Sequence, residues 1–279
     1  MSDTIQTRSD KLFIVSSTTN YVTQGEGAPV IMLHGLAASL HDWDFLLPEL
    51  AKAGYAGYAL DLLGHGDSLK PDSRAYQVDW LFDHFADWLD SLALTSPAVL
   101  IGHSLGAYLV LEYARRFPAR TRGLILVDPF YSLSQLPPAL RLTYRHSILS
   151  GLLAGKTPEW LFRIIIDFTS IAMGHSSGAL HALPEEIRAQ TAQDYIRTAP
   201  GVYNIPNSGF DLVPYLASIS TPTLVVWGEQ DQTLAPASFT DLVDALPNAR
   251  AEHIRAGHVP HQSNSDWFNK LTLDFLKTL

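Results

Sequence analysis

The sequence predicts an α/β fold, a mostly parallel, doubly wound sheet of about eight strands with helices on both faces. Three observations carry this prediction. Short apolar runs alternate with longer stretches of helical period. The runs end in loops rich in Gly and Asp, as at His34-Gly35 and along residues 61–68. The alternation stops near Tyr131 and resumes only after Tyr215, which marks a helical insertion late in the chain.

Taken in order, residues 12–15 and 20–23 read as edge strands. Residues 30–34 read as a buried strand introduced by Pro29 and stopped by Gly35. Residues 42–53 place Trp43, Phe45, Leu46, Leu47 and Leu50 at helical spacing, and residues 55–60 form the next strand. Residues 78–92 repeat Val78, Leu81, Phe82, Phe85, Leu89 and Leu92, the stripe of an amphipathic helix. Residues 98–102 are a strand, 105–117 a helix that Pro118 ends, and 124–127 a strand. After the insertion come a strand at 223–227, a helix at 238–246, a strand at 250–254 and a final helix at 266–276. The expected division is a core of residues 1–130 and 216–279, with a helical cap at 131–215.

Composition narrows the function. The chain of 279 residues is long enough for a sizeable core, and 47% hydrophobic with 17% charged residues excludes disorder, coiled coil and collagen. Lys and Arg total 19 against 28 Asp and Glu, and the resulting charge of −9 argues against a nucleic-acid partner. The absence of Cys removes a disulfide framework, a thiolate metal site and a Cys nucleophile, and fits a reducing compartment. No basic segment followed by an apolar one opens the chain, and no apolar run reaches 18 residues. A soluble cytoplasmic protein without a membrane span is therefore expected. No G-x-G-x-x-G follows the first strands, which disfavours a dinucleotide site.

Gly102-His103-Ser104-Leu105-Gly106 matches G-x-S-x-G, set between a strand and a helix. A Ser on such a turn is pushed out of the sheet top, and small flanking residues let strand and helix approach. Ser104 is the expected nucleophile. A second match, residues 174–178, follows a helical pattern and reads as a helix end and loop, so Ser176 is not expected to act.

A Ser hydroxyl needs a base, and the base needs an orienting carboxylate. His258 lies in the loop after the last strand, at the sheet edge where ligands bind. His261 is its rival, and His253, within the strand, reads as structural. Asp231 follows the strand at 223–227 and is the expected acid, with Asp128 and Glu229 as alternatives. The order Ser104, Asp231, His258 is that of α/β-hydrolases. The Gly35 turn lets the Leu36 N–H join that of Leu105 as an oxyanion hole. His34 reads as a hydrogen-bonding residue of that turn. Together with Gly35, His103 and Trp160 it is placed near the substrate.

At these residues the sequence resembles the α/β-hydrolase superfamily, in its serine carboxylesterase and lipase-like branch with a helical cap. Leu33-His34-Gly35, the D-x-x-G-x-G-x-S loop at 61–68, the Ser104 turn, Gly228-Glu229-Gln230-Asp231 and Ala256-Gly257-His258 fall in the family's order over nearly the whole chain. The resemblance implies a Ser-His-Asp hydrolase with no cofactor and no metal, whose cap covers the site. Haloalkane dehalogenases and epoxide hydrolases of this fold carry Asp where this chain has Ser104. The turn at His34-Gly35-Leu36 departs from the HGGG type of other lipases and esterases. The expected partner is a small uncharged ester. A carboxylesterase is the first reading, followed by a lipase or lysophospholipase, a meta-cleavage-type C–C bond hydrolase, and a slow-turnover ligand receptor.

Overall fold

The computed structural model describes residues 19–73, 76–136, 158, 160–161, 164, 183–209 and 211–279. Among them, β1 (Tyr21–Gln24), β2 (Ala28–Leu33), β3 (Tyr55–Leu60), β4 (Ala98–His103), β5 (Thr121–Val127), β6 (Thr223–Gly228) and β7 (Ala249–Ile254) form one sheet. Its order is β1-β3-β2-β4-β5-β6-β7. Only β1 runs antiparallel, pairing Tyr21 with Leu60, and every other pairing is parallel. The strand expected at residues 12–15, which would make the eighth, lies outside the described residues.

The central strands are apolar on both faces, as a sheet covered by helices on both sides requires. Ile31, Leu33, Leu100, Leu124, Leu126 and Val225 face one layer, against α2 (Val78–Ser91), α3 (Leu105–Arg116) and α5 (Ala237–Ala245). Their neighbours Val30, Met32, Ile101, Ile125, Val127 and Val226 face the other, against α1 (Leu47–Lys52) and α7 (Ser265–Leu276). α2 buries Val78, Leu81, Phe82, Phe85, Trp88 and Leu89 along one stripe, as its sequence period requires. Truncating the fully buried Phe85 to Ala costs about 3–5 kcal/mol by loss of burial and the cavity left behind. The edges are guarded differently: β7 exposes Arg250, Glu252 and His253, and charge on an edge strand discourages further pairing.

The helix expected over residues 42–53 is broken. Ser39 caps a single 3-10 turn, Leu40–Trp43, by accepting the His41 N–H. Helix α1 starts afresh at Leu47, with Pro48 in its first turn where a missing N–H costs nothing. Between β5 and β6 the described residues hold α4 (Glu185–Arg197) and 3-10 turns at Leu133–Gln135, Pro200–Asn207 and Val213–Ser218, with no strand among them. Helix α6 (Pro260–Ser263) is a single turn before α7. No helix among the described residues is long and apolar enough to cross a membrane.

Candidate active site

The turn between β4 and α3 is strained at one residue. Ser104 has φ +49° and ψ −111°, a conformation L-residues rarely adopt. Neighbouring contacts over-determine it. The Ser104 N–H donates to Val127 O at 2.9 Å, and its carbonyl accepts from the N–H groups of Ala107 and Phe130. A Cβ at Gly106 would lie 2.3 Å from Leu33 O, and one at Gly102 2.5 Å from the Gly106 backbone, so only glycine allows β2, β4 and α3 to meet here. The result is a hydroxyl at the carboxyl end of the sheet, lining a cavity.

Asp231 and His258 converge on the same edge. The loops after β6 and β7 are joined by the N–H groups of Glu229 and Gln230, which donate to Ile254 O and Ala256 O. Asp231 is buried. Its Oδ1 accepts from Thr233 N at 2.7 Å and Leu234 N at 3.1 Å, and its Oδ2 lies 2.7 Å from His258 Nδ1. Burial opposes ionisation, but the His258 charge and hydrogen bond and the two backbone donors outweigh it and hold the carboxyl below its usual range. An ionised Asp231 accepts the Nδ1 proton, which leaves His258 Nε2 free to take another. Both His258 and Ser104 line the cavity.

The alternative acids separate clearly. Glu229 is exposed and pairs with His253 on β7 at 2.8 Å, away from the cavity. Asp128, at φ +41°, is fully buried, and its Oδ1 accepts from Gly228 N at 3.1 Å. One oxygen each of Asp128 and Asp231 and a ring nitrogen of His258 lie within 4.8 Å of one another. Burial first, then the Asp231 charge, raises Asp128 well above the ordinary carboxyl range, so it carries a proton beside an ionised neighbour. His261 is buried and makes no hydrogen bond with its ring nitrogens. Burial, then the nearby His103 charge, lowers it to about 3, so it is neutral and shielded from the cavity.

Leu36 and Leu105 line the cavity. Among the described residues, neither of their N–H groups is given to an acceptor, as an anion-binding pair requires. His103 also lines the cavity, whereas the other expected substrate contacts do not. His34 is fully buried, with Nδ1 2.7 Å from Gly35 O and Nε2 accepting from Leu62 N at 3.0 Å. Its role is to brace the turn. Gly35 presses against the His103 ring, which a Cβ would approach to 2.9 Å, and so supports the site from behind. Trp160 is 64% exposed, as is Ile164 one helical turn on at 54%, so this face points to solvent and not into the cavity. The second G-x-S-x-G, with Ser176, and Arg141, Arg145 and Arg163 lie outside the described residues.

The cavity holds about 200 Å³, and Thr191, Asp194 and Tyr195 of α4 with Tyr203 and Pro206 form its far wall. Sequence reasoning missed these residues, and it missed Asp42, which lies 3.1 Å from His103 Nδ1. The available signal was an Asp inside an apolar stretch just after the Gly35 turn. Asp42, His103 and His261 also offer three ligand atoms within 4.8 Å, as do Asp128, Asp231 and His258.

A family model described as alpha/beta hydrolase fold matches residues 28–264, and the chain belongs to that family. It is a hydrolase of that fold. It is 29% identical to human "Epoxide hydrolase 4", the match covering 92% of this chain and 75% of the human protein. It is 26% identical to "Lipase 1" of Psychrobacter immobilis, over 84% of this chain and 72% of the lipase. Among solved structures, a thermophilic esterase from Thermogutta terrifontis superposes with a TM-score of 0.76 over 93% of both chains, at 22% identity, a likeness of fold.

Proposed function

We propose that the protein is a carboxylic ester hydrolase that works through an acyl-enzyme. The carrying observation is the strained Ser104 sharing one cavity with His258, whose Nδ1 is held by the buried Asp231. In this reading Ser104 Oγ attacks the ester carbonyl and passes its proton to His258 Nε2. The carbonyl oxygen, now negative, takes the N–H groups of Leu36 and Leu105. His258 returns the proton to the leaving alcohol as the C–O bond breaks. Water then gives His258 a proton, attacks the acyl carbon, and Ser104 recovers its proton as the acid leaves. No step calls for a cofactor. Ser104 sets this chemistry apart from that of relatives named for epoxide hydrolysis, which would need a carboxylate at that position.

The cavity supports an uncharged substrate. Its described lining includes Asp42 and Asp194 and no Lys or Arg, which disfavours an anionic dienoate and hence C–C bond hydrolysis. A volume of about 200 Å³ suits a short acyl group better than a long one. Residues 131–215, including α4, act in this reading as the cap over the site.

The test is hydrolysis of p-nitrophenyl esters from C2 to C16, with Ser104→Ala alongside. Fast turnover of short chains that vanishes in the variant is the expected result. Preference for the longest chains would make it a lipase. No turnover by folded protein would overturn the ester reading in favour of C–C hydrolysis or ligand sensing.

A further inference from the structure

Behind the cavity wall stands a buried histidine whose ring nitrogens have no task. His261 is 2% exposed, and neither nitrogen has a hydrogen-bond partner among the described residues. Its ring packs against those of Trp43, His103 and Phe268, at 5.0, 4.6 and 5.9 Å between centroids. Such packing accounts for the ring but needs no nitrogen in it, and a polar group buried this way calls for a partner.

Two prepared groups lie beside it. Asp42 Oδ2 is 3.9 Å from His261 Nε2, beyond hydrogen-bond reach, and 3.1 Å from His103 Nδ1. The three residues each offer a ligand atom within 4.8 Å of the others. His103 Nε2 lies 2.9 Å from the carbonyl oxygen of His258, which only accepts, so Nε2 carries a hydrogen and Nδ1 is turned to the carboxylate. A histidine that binds a metal is commonly held this way, one N–H given to a main-chain carbonyl and the other nitrogen presented to the ion. Asp42 is oriented too, with Oδ1 accepting from Gln262 Nε2 at 2.9 Å and Oδ2 from Gly35 N at 3.4 Å.

We propose that Asp42 Oδ2, His103 Nδ1 and His261 Nε2 form a binding site for a divalent transition-metal ion such as Zn²⁺, and that filling it inhibits the enzyme. Two imidazoles and a carboxylate suit Zn²⁺, whereas Mg²⁺ and Ca²⁺ favour oxygen ligands alone. A proton between His103 and Asp42 accounts for their contact and leaves His261 orphaned; a metal ion accounts for both. Asp42 and His103 line the active-site cavity, so the ion enters from there and keeps an open position toward it, while His261 closes the site from behind. The second cluster, Asp128, Asp231 and His258, is already spent. Asp231 Oδ2 and His258 Nδ1 share a hydrogen bond at 2.7 Å, and Asp231 Oδ1 takes two backbone donors.

Inhibition follows from the connections. Ligand bonds of about 2.0–2.2 Å draw His261 toward Asp42. His261 is three residues from His258, whose carbonyl His103 holds. A displacement of the base by about 1 Å costs on the order of 10²-fold in rate. The metal-free protein is thus the active form. The site goes beyond the ester-hydrolase reading, and only the inhibition rests on it.

The test uses the untagged full chain after EDTA dialysis and removal of the chelator. Calorimetric titration with Zn²⁺ is expected to show one ion per chain, and Mg²⁺ none. At a hundredfold excess over Kd, Zn²⁺ is expected to raise Tm by about 5 °C for 279 residues. Turnover of p-nitrophenyl acetate is expected to fall by about 10²-fold and to return with EDTA. His261→Phe keeps an aromatic ring for Trp43 and Phe268 to pack on, and is expected to lose the binding, the Tm rise and the inhibition relative to its own metal-free rate. Asp42→Asn is expected to lose the binding as well, and Asp128→Asn to keep it. No Zn²⁺ bound by the wild type overturns the proposal, as does binding that survives in both His261→Phe and Asp42→Asn or vanishes in Asp128→Asn. Unchanged turnover in zinc-loaded protein overturns the inhibition. Protein that binds Zn²⁺ as expected but cleaves no ester with or without it sinks the ester reading and leaves the metal site standing.

Discussion

Asp194 offers a test in which the sign of a pH effect is fixed by burial. It lies on α4 at 3% exposure, accepts from Gln190 Nε2 at 2.9 Å, and has the Ser39 hydroxyl and the Asp42 charge nearby. Burial first, then Asp42, raises its pKa from 3.8 to about 7. That is about 3 units, or about 4 kcal/mol at about 1.4 kcal/mol per unit. Between about pH 4 and pH 7 the folded state keeps a proton that the unfolded chain has lost. Stability therefore falls as pH rises through this window, and the full cost of the buried charge is present above pH 7. Asp194→Asn removes the charge while keeping an acceptor for Gln190. At pH 5, about 1.2 units above the unfolded value, the variant is expected to be more stable by only about 1.7 kcal/mol. At pH 9 it is expected to be more stable by up to about 4 kcal/mol. At about 2.1 cal/mol/K per residue, a chain of 279 residues turns this into a Tm gain of up to about 7 °C. Thermal melts followed by tryptophan fluorescence at both pH values measure it. A Tm difference that does not widen from pH 5 to pH 9 would refute the reasoning.

Three further outcomes are expected. Asp231→Asn should lower kcat by about 10⁴, whereas Asp128→Asn should keep most activity, because an uncharged amide replaces an uncharged, protonated carboxyl; equal losses in ester assays would reverse the two roles. Gly106→Ala, whose Cβ meets Leu33 O at 2.3 Å, should lower Tm sharply, while Gly209→Ala, with nothing closer than 3.8 Å, should not. A similar Tm for both would show that the β2–α3 approach is looser than described. Prolonged EDTA dialysis should leave ester turnover unchanged, and a loss that added metal restores would contradict a metal-free mechanism.

The parts of the site that are legible in the sequence sit where a strand ends. Ser104 and Asp231 each follow an apolar run and His258 follows the polar last strand, so position relative to the sheet singles them out as candidates without knowledge of contacts. The buried pattern of β2, β4, β5 and β6 is likewise a local property. What escaped is made by distance along the chain. Asp42 meets His103 across 61 residues, and His103 meets His258 across 155. Asp194 and Tyr203 belong to a segment whose helical period says nothing about which side faces the cavity. Trp160 is placed near the substrate by its residue type alone, and the structure leaves it 64% exposed and outside the cavity lining. The break in the helix at residues 42–53 followed from Pro48 and the Ser39 cap, both present in the sequence but outvoted by the apolar spacing.

The far wall of the cavity hangs on the core partly by main-chain bonds. Ala199 N donates to Gly64 O, Tyr76 N to Gly201 O, and Leu212 N to Tyr131 O. Such attachments are indifferent to side-chain identity, whereas Ser104 is fixed by glycines that tolerate no replacement. The molecule therefore separates what must be kept from what is free to vary. Recombination or mutation along α4 and the Pro200–Asn207 turn can retune what the cavity admits while Ser104, Asp231 and His258 stay in register, so the wall is the place where new specificities would arise and where a library aimed at them should be built.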